Sequence, residues 1–255
     1  MGKVYLVGAG PGAADLITVR GAQLLKRADI VFHDALVQPE VLSLAVNAKL
    51  VAVGKRCSQI STDQRFINRN LIEAAAKYDV VVRLKGGDPM LFGRAQEEIH
   101  ALESAQVAYE VVPGVTSGLA ASAEAGISLT QRGVSRSVVF ATPRVGVGED
   151  VSDWVPAVIA ADTAVLYMGV GRAAEIATVL QSHGMPPTTP IVIIENASLP
   201  ASRHIGCLLG DLLNNVTESM NGPALMLIGD VAKQRVDSLS EEACANASPR
   251  AVSHG

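Results

Sequence analysis

The feature that most constrains the fold is residues 80–93, VVVRLKGGDPMLFG, where an apolar run ends in a glycine pair. The β-favouring residues Val80–Leu84 predict a strand that is buried on both faces. Gly86 and Gly87 then permit backbone conformations that other residues avoid, and Pro89 fixes φ just before a new helical pattern. Because ligands bind where the strands of an open α/β sheet end, this break predicts a ligand site.

Short apolar runs alternate with helix-period segments along the rest of the chain. In the first half, strands are predicted at Val4–Val7, Ile30–Phe32, Leu50–Val53, Val80–Leu84 and Val107–Val112, with helices within 16–27 and 64–77. After Pro113-Gly114, further strands are predicted at Ser137–Ala141, Ala164–Tyr167, Ile191–Ile194 and Ala224–Ile228, with helices near 117–125 and 172–183. The pattern predicts two α/β domains, 1–113 and 114–236, with mostly parallel central sheets. The polar segment 237–255 is expected to be a disordered tail.

Composition argues against several classes of protein. The chain has a net charge of −4 and no basic stripe interleaved with aromatic residues, so we expect no nucleic-acid partner. Cys57, Cys207 and Cys244 form no C-x-x-C pair, which favours reduced thiols in a cytoplasmic protein over disulfides or structural zinc. The five histidines lack metal-ligand spacing, and no metal is expected. No apolar run reaches the roughly 18 residues of a membrane span, and the opening is too short for a signal peptide.

The first glycine cluster, Gly8-Ala9-Gly10-Pro11-Gly12-Ala13, follows the first predicted strand and fits the spacing of a dinucleotide fingerprint. Asp34 ends the second strand, about where an acid that binds ribose would lie. Pro11 weakens this interpretation because it has no N–H to donate to a pyrophosphate. A nicotinamide-dependent oxidoreductase and a tight turn without any ligand both remain alternatives.

Several segments in the same order resemble the tetrapyrrole methylases. They are GAGPG at 8–12, ADIVFHDALV at 28–37, GKR at 54–56, RLKGGDPMLFGRAQEE at 83–98, VVPGVTSG at 111–118, LTQRG at 129–133, YMG at 167–169 and GPALMLIG at 222–229. The resemblance covers residues 3 to about 232. It implies the methylase fold, with a cofactor cleft between two α/β domains, and a homodimer.

The resemblance also implies an activity. DALV and GKR favour the members that transfer methyl groups from S-adenosylmethionine to C2 and C7 of uroporphyrinogen III, giving precorrin-2 by way of precorrin-1. Precorrin-2 leads to sirohaem, cobalamin or haem d1. The pyrrole carbon is itself the nucleophile, so no Ser or Cys nucleophile is required. A third hypothesis is a protein that binds S-adenosylmethionine or a tetrapyrrole without catalysis.

By motif, the resemblance assigns the methyl donor to Pro11, Gly86, Gly87, Asp88, Leu91, Thr116, Ser117, Met168, Ala197 and Ala224. The small residues among them leave room for the adenosine and methionine moieties. Asp88 has an alternative role as a cap of the helix that begins near Pro89. Met168 could equally fill a gap in the core.

The resemblance places the proton acceptor at Asp34 and the proton donor at Lys55, with Arg94 as a further catalytic residue. Asp34 could instead be a cap, and Lys55 a solvated charge. Arg94, Glu97 and Arg132 are expected to bind the acidic macrocycle, with arginine pairing with propionates and Glu97 with pyrrole N–H groups. Arg94 and Glu97 could also pair with each other, three residues apart on a helix.

The chain departs from the family pattern in places. After the predicted strand Ser137–Ala141 it reads Thr142-Pro143-Arg144, where a TGH-like turn is common. GRAQEE stands in place of the more usual GRGGEE, and Met90 where an aromatic is common.

Overall fold

The computed structural model describes residues 1–54, 64–145, 153–216, 220 and 222–247, with side chains described to residue 242. Two compact units are present, Met1–Ala120 and Ala121–Gly255. The boundary between the units lies a few residues after the predicted position at 113/114, within helix α5 (Ser117–Ala125).

The first unit is built on a five-stranded sheet in which every strand pair is parallel. Its strands are β1 (Lys3–Gly8), β2 (Ile30–His33), β3 (Lys49–Ala52), β4 (Val80–Lys85) and β5 (Tyr109–Val112). Their order across the sheet is β3-β2-β4-β1-β5. The five predicted strands and the parallel sheet are confirmed in this unit.

Helices cover both faces of this sheet, because side chains alternate along its strands. They are α1 (Val19–Arg27), α2 (Pro39–Leu42), α3 (Gln64–Ala75) and α4 (Ala95–Ser104). On one face Val81 packs with Leu71 of α3 and Leu102 of α4. On the other face Val82 and Leu84 belong to a cluster that includes residues of α1 and α2.

The second unit corrects one prediction, because its sheet is mostly antiparallel. Its strands are β6 (Val138–Ala141), β7 (Thr163–Tyr167), β8 (Pro190–Glu195), β9 (Arg203–Leu208) and β10 (Ala224–Ile228), in the order β6-β7-β10-β8-β9. Only the β6–β7 pair is parallel. β8 is buried along its whole length, and its sequence is a continuous apolar run of the kind typical of parallel strands. The sequence therefore did not indicate that β10 would lie antiparallel beside it. Strand β9, whose residues range from exposed to buried, was not predicted.

Helices of the second unit are α6 (Val155–Ala160), α7 (Ala173–Ser182), α8 (Leu212–Asn215) and α9 (Lys233–Ala247), besides the end of α5. α9 corrects the prediction of a disordered tail as far as residue 247. Gly206 of β9 lets this helix approach, since a Cβ there would lie 3.0 Å from the Cα of Val236 and 3.2 Å from Leu239 Cδ1. Packing of this apolar face explains helix formation in a polar sequence. No helix in the described ranges is long and apolar enough to cross a membrane.

Candidate methyl-donor and tetrapyrrole site

The strand order creates a switch point between β1 and β4. The chain leaves β1 toward β2 on one side, whereas it leaves β4 toward β5 on the other side. Neighbouring parallel strands whose connections run in opposite directions form a crevice at their carboxyl ends, where ligands bind in open α/β sheets. Both predicted glycine loops begin at these two strand ends.

The two glycine loops are hydrogen-bonded to each other. The Gly10 N–H donates to the carbonyl of Gly87 at 3.2 Å, and the Gly87 N–H donates back at 2.7 Å. Gly114 closes on the same point, because a Cβ on Gly114 would lie 2.3 Å from the Gly87 carbonyl oxygen and 2.8 Å from the Cα of Gly8. Three backbone segments therefore meet at distances that a side chain would forbid.

The carboxylate of Asp88 connects two of these segments. Its Oδ1 accepts from the N–H of Met90 at 2.8 Å, and its Oδ2 accepts from the N–H of Gly114 at 2.9 Å. The predicted alternative, a cap of a helix that begins near Pro89, is wrong, because residues 89–93 form a turn and α4 begins only at Ala95. The two contacts of Asp88 instead hold that turn and the Gly114 segment. Each carboxylate oxygen can accept a further bond, so the contacts are compatible with a ligand as well.

The remaining residues assigned to the donor in this unit lie around the same loops. Pro11 follows Gly10 directly, and Leu91 donates its N–H to the Asp88 carbonyl at 3.4 Å. Ser117 begins α5 and Thr116 precedes it, and a Cβ on Gly87 would lie 3.8 Å from the Cα of Thr116. Among the described residues, a Cβ on Gly86 would meet Leu36 Cβ alone, at 3.6 Å. Added Cβ atoms at Gly86 and Gly87 would thus make no contact closer than ordinary van der Waals distance, and these positions are compatible with a ligand that lies against the backbone.

Asp34 follows β2 and lies beside the carboxyl end of β4. Its N–H donates to the Leu84 carbonyl at 3.2 Å, and its Oδ1 accepts from Arg83 Nη2 at 2.5 Å. The Asp34 side chain keeps 30% of its surface exposed, so it can meet a ligand. Lys55, the predicted proton donor, lies outside the described residues.

A buried group of charges below Asp34 escaped the sequence analysis. Arg83 and Lys85 alternate with Leu84 on β4 and point to the side covered by α4, where Glu98 is completely buried. Burial opposes the charge on Arg83, but the carboxylates of Asp34 and Glu98 outweigh it and raise the Arg83 pKa. The Lys85 pKa is lowered by burial and by the neighbouring Arg83 cation. Two basic residues in an otherwise apolar strand were the available signal.

Arg94 and Glu97 pair with each other, which confirms the alternative predicted for them. Arg94 Nε donates to Glu97 Oε1 at 2.6 Å, and Nη2 donates to Oε2 at 2.9 Å. Their side chains are 55% and 49% exposed, so the pair can open toward a ligand. Arg94 precedes α4 with φ +54°, a left-handed conformation unusual for arginine. In the second unit, Arg132 is exposed in the turn between Gln131 and Ser135.

The three donor residues assigned to the second unit lie at the same end of its three central strands. Met168 follows β7 and Ala197 follows β8, while Ala224 begins β10, which runs antiparallel to both strands. Met168 has φ +57°, and the residues on either side of Ala197, Asn196 and Ser198, have φ +54° and +70°. Non-glycine residues in this region are strained, and such strain often marks functional sites.

Two carboxylates hold the turn around Ala197. Glu195 Oε1 accepts from the Gly222 N–H at 2.7 Å, and Oε2 accepts from Arg203 Nε at 2.8 Å. Glu124 Oε2 accepts from the Ser198 N–H at 2.6 Å. Burial raises the Glu124 pKa, but the nearby Ser202 hydroxyl, the hydrogen bond from the Ser198 N–H and the neighbouring His204 outweigh it, so the pKa is lowered overall.

The Thr142-Pro143-Arg144 turn lies at the same end of the strands of the second sheet. Arg144 follows β6, which is parallel to β7, and its Nη1 lies 3.8 Å from the sulfur of Met168. The departure from the family pattern therefore adds a cation beside Met168. Over the part of the chain that the structure describes, no three His, Cys, Asp or Glu side chains come together as a metal site.

Comparison with known proteins supports the predicted family. Residues 3–213 match the tetrapyrrole (corrin/porphyrin) methylases. The chain is 42% identical over 236 residues to a Pseudomonas aeruginosa uroporphyrinogen-III C-methyltransferase, covering 92% of this chain and 96% of that protein. A Zymomonas mobilis siroheme synthase is 43% identical over 92% of this chain, but the chain spans only 50% of that protein.

Solved structures agree with the sequence relatives. The uroporphyrin-III C-methyltransferase of Thermus thermophilus complexed with S-adenyl homocysteine matches with a TM-score of 0.80 and 40% identity, over 91% of this chain and 100% of that chain. A cobalt precorrin-4 methyltransferase matches with a TM-score of 0.78 and 26% identity, over 90% of this chain and 95% of that chain. The predicted family and fold are confirmed, and the dinucleotide alternative loses its support. The chain belongs to the tetrapyrrole methylases.

Proposed function

We propose that this chain transfers methyl groups from S-adenosylmethionine to C2 and C7 of uroporphyrinogen III, with precorrin-1 as intermediate and precorrin-2 as product. The observation that carries the proposal is the match to the Pseudomonas aeruginosa C-methyltransferase, which extends over 96% of that protein. The hydrogen-bonded glycine loops supply independent support, because they lie at the strand ends where open α/β sheets bind ligands.

S-adenosylmethionine supplies an electrophilic methyl group, and the chain's task is to hold its two substrates in line. Gly86 and Gly87 offer open backbone, while Asp88 keeps lone pairs for an ammonium or hydroxyl group. Met168, Ala197 and Ala224, in the second unit, are proposed as further donor-binding residues. Positioning of this kind can lower the activation barrier by about 7–11 kcal/mol.

The proposed acceptor is rich in carboxylates, so an acidic protein requires local cations to bind it. Arg94 and Arg132 are exposed and are proposed to pair with propionates, at roughly 1.5–3 kcal/mol for each well-placed charged hydrogen bond. Binding would exchange the Arg94–Glu97 pair for contacts with the macrocycle. Glu97 would then be available to accept from pyrrole N–H groups.

Methylation of a pyrrole carbon requires that a proton leave the macrocycle as it rearranges. Asp34 is the proposed acceptor, since its carboxylate is partly exposed at the end of β2. Lys55 is proposed as the proton donor, and Arg94 as a further catalytic residue. We further propose that the enzyme is a cytoplasmic homodimer whose product enters sirohaem, cobalamin or haem d1 synthesis.

An assay with purified protein, methyl-labelled S-adenosylmethionine and uroporphyrinogen III tests the proposal directly. We expect labelled dimethylated product, identified by mass spectrometry, and a large loss of turnover in Asp34→Ala and Arg94→Ala. Donor binding without any transfer would reject the enzymatic proposal in favour of the non-catalytic binding protein. NAD titration provides the control for the dinucleotide alternative, and we expect no binding.

A further inference from the structure

The buried charges on β4 form a chain of contacts that ends at Asp34. Glu98 Oε1 accepts from Arg83 Nε at 2.9 Å and from Gln64 Nε2 at 3.2 Å, and Lys85 Nζ lies 3.1 Å from both Glu98 oxygens. Arg83 then donates through Nη2 to Asp34. The side chains of Arg83, Lys85 and Glu98 are at most 4% exposed, whereas that of Asp34 is 30% exposed. Asp34 is thus the exposed end of the chain of contacts.

Stability alone is a weak explanation for this arrangement. Replacing a buried ion pair by packed apolar groups is often neutral or stabilising, because desolvation offsets the attraction between the charges. A guanidinium is a planar fork, so the Nε contact with Glu98 fixes the plane from which Nη2 meets Asp34. Glu98 therefore fixes the orientation of the guanidinium that meets the Asp34 carboxylate.

The same charges support the loop that carries the other site residues. A Cβ on Gly93 would lie 3.2 Å from Lys85 Cε, so this loop packs directly over the lysine stem. Glu98 lies on α4, one residue after Glu97. One buried carboxylate thus joins the end of β4 to the helix that presents Arg94 and Glu97.

We propose that Arg83 is a positioning residue for the proton-accepting carboxylate of Asp34, and that Glu98 holds Arg83 in the required orientation. This inference rests on the proposed function, in which Asp34 accepts a proton from the macrocycle. Arg83 itself is buried and acts through Asp34 alone.

A double-mutant cycle with Asp34→Asn, Arg83→Lys and the combined variant tests this inference. Lysine keeps the buried positive charge but cannot make both contacts as a fixed fork. We expect Arg83→Lys to lower kcat about 100-fold at saturating substrates, the loss typical of a small misplacement, with the donor Kd changed by less than about twofold. In the Arg83→Lys background, Asp34→Asn should cost much less than in the wild type, because coupled residues are not additive. Equal costs of Asp34→Asn in both backgrounds would overturn the proposal.

Arg69→Lys is the matched control, since Arg69 makes an exposed pair with Glu73 on α3 at 3.7 Å. We expect it to retain wild-type kcat, and Arg83→Lys must differ from it. Denaturant unfolding of the same four proteins separates the inference from the proposed function. If the wild type transfers no methyl group, the proposed function fails, while non-additive unfolding midpoints would still support the Arg83–Asp34 coupling. Additive midpoints as well as additive kcat values would reject the coupling itself.

Discussion

In the first unit, the loops after β1 and β4 contain glycines with positive φ. In the second unit, the loops after β7 and β8 contain residues with side chains in the same conformation. Gly10 and Gly87 have φ +80° and +67°, while Met168 and Asn196 reach φ +57° and +54°. Glycine adopts this conformation without strain, but other residues must be held in it by their surroundings. In the second unit Glu195 and Glu124 bind the chain around the strained turn. Close backbone approach explains the first arrangement, and side-chain anchoring explains the second.

Gly114→Ala should have the largest effect, because it breaks the close approach in the first unit. The added Cβ would lie 2.3 Å from the Gly87 carbonyl oxygen, and neither backbone segment can yield without displacing a loop. We expect a loss of about 3 kcal/mol or more in unfolding free energy, together with loss of S-adenosylmethionine binding. Denaturant unfolding and calorimetric titration measure the two effects. Gly86→Ala is the control for stability, since the one described atom near its Cβ is Leu36 Cβ, at an ordinary 3.6 Å. Destabilisation equal to that of Gly114→Ala would contradict the explanation.

Gly87→Val tests whether the same loop binds the donor. Valine at φ +67° is strained, so the local cost is roughly 1–2 kcal/mol, and the side chain would occupy the open space beside Thr116. We expect S-adenosylmethionine binding to be abolished while the chain stays folded. Gly133→Val is the matched control, because Gly133 has φ +81° and no atom of the described part of the chain lies within 4 Å of an added Cβ. This variant should cost similar stability while binding the donor normally. Unchanged donor affinity in Gly87→Val would mean that the site is misplaced.

Glu195→Gln tests the anchoring of the second unit. The Glu195 carboxylate is almost completely buried and accepts hydrogen bonds from both Arg203 and the Gly222 N–H. The oxygen of a glutamine can still accept from the Gly222 N–H, but its NH₂ group cannot accept from Arg203. We expect a loss of roughly 1–3 kcal/mol in unfolding free energy and weaker donor binding through the displaced Ala197 turn. Glu175→Gln, in the exposed pair with Arg172, is the control and should change stability by no more than about 0.5 kcal/mol. Equal effects of the two variants would argue against an anchoring role.

The smallest expected effect concerns acid stability. A carboxylate whose pKa is lowered on folding stabilises the protein above its unfolded value, and that contribution is lost as the pH falls through the folded pKa. The pKa of Glu124 is lowered from 4.5, so its contribution should disappear below about pH 4.5. We expect Glu124→Gln to be less stable than the wild type near neutral pH and to lose less stability on acidification. Unfolding midpoints of both proteins, measured from neutral pH to below pH 4.5, check the prediction. An equal fall in the midpoint of both proteins on acidification would contradict it.

The extent of sequence-based prediction differed between the same two regions. The apolar run before Gly86 predicted β4, and the helix predicted over 117–125 is confirmed as α5. In the second unit, strand direction was wrong because a buried run such as β8 has the same composition whichever way its neighbour runs. The helix at Lys233–Ala247 was missed because its formation depends on packing against β9, which local composition does not record.

By itself, the sequence determined the family, the parallel first sheet and the two glycine breaks, since these follow from local periodicity and from motifs in a fixed order. Only the tertiary structure decided that Gly10 and Gly87 bond to each other, that Asp88 binds the Gly114 N–H, and that Arg94 pairs with Glu97. It also revealed that Arg83 and Lys85 lie buried against Glu98 below Asp34. The physical reason is that hydrogen bonds and ion pairs between distant segments depend on strand order and side-chain direction, which no local pattern specifies.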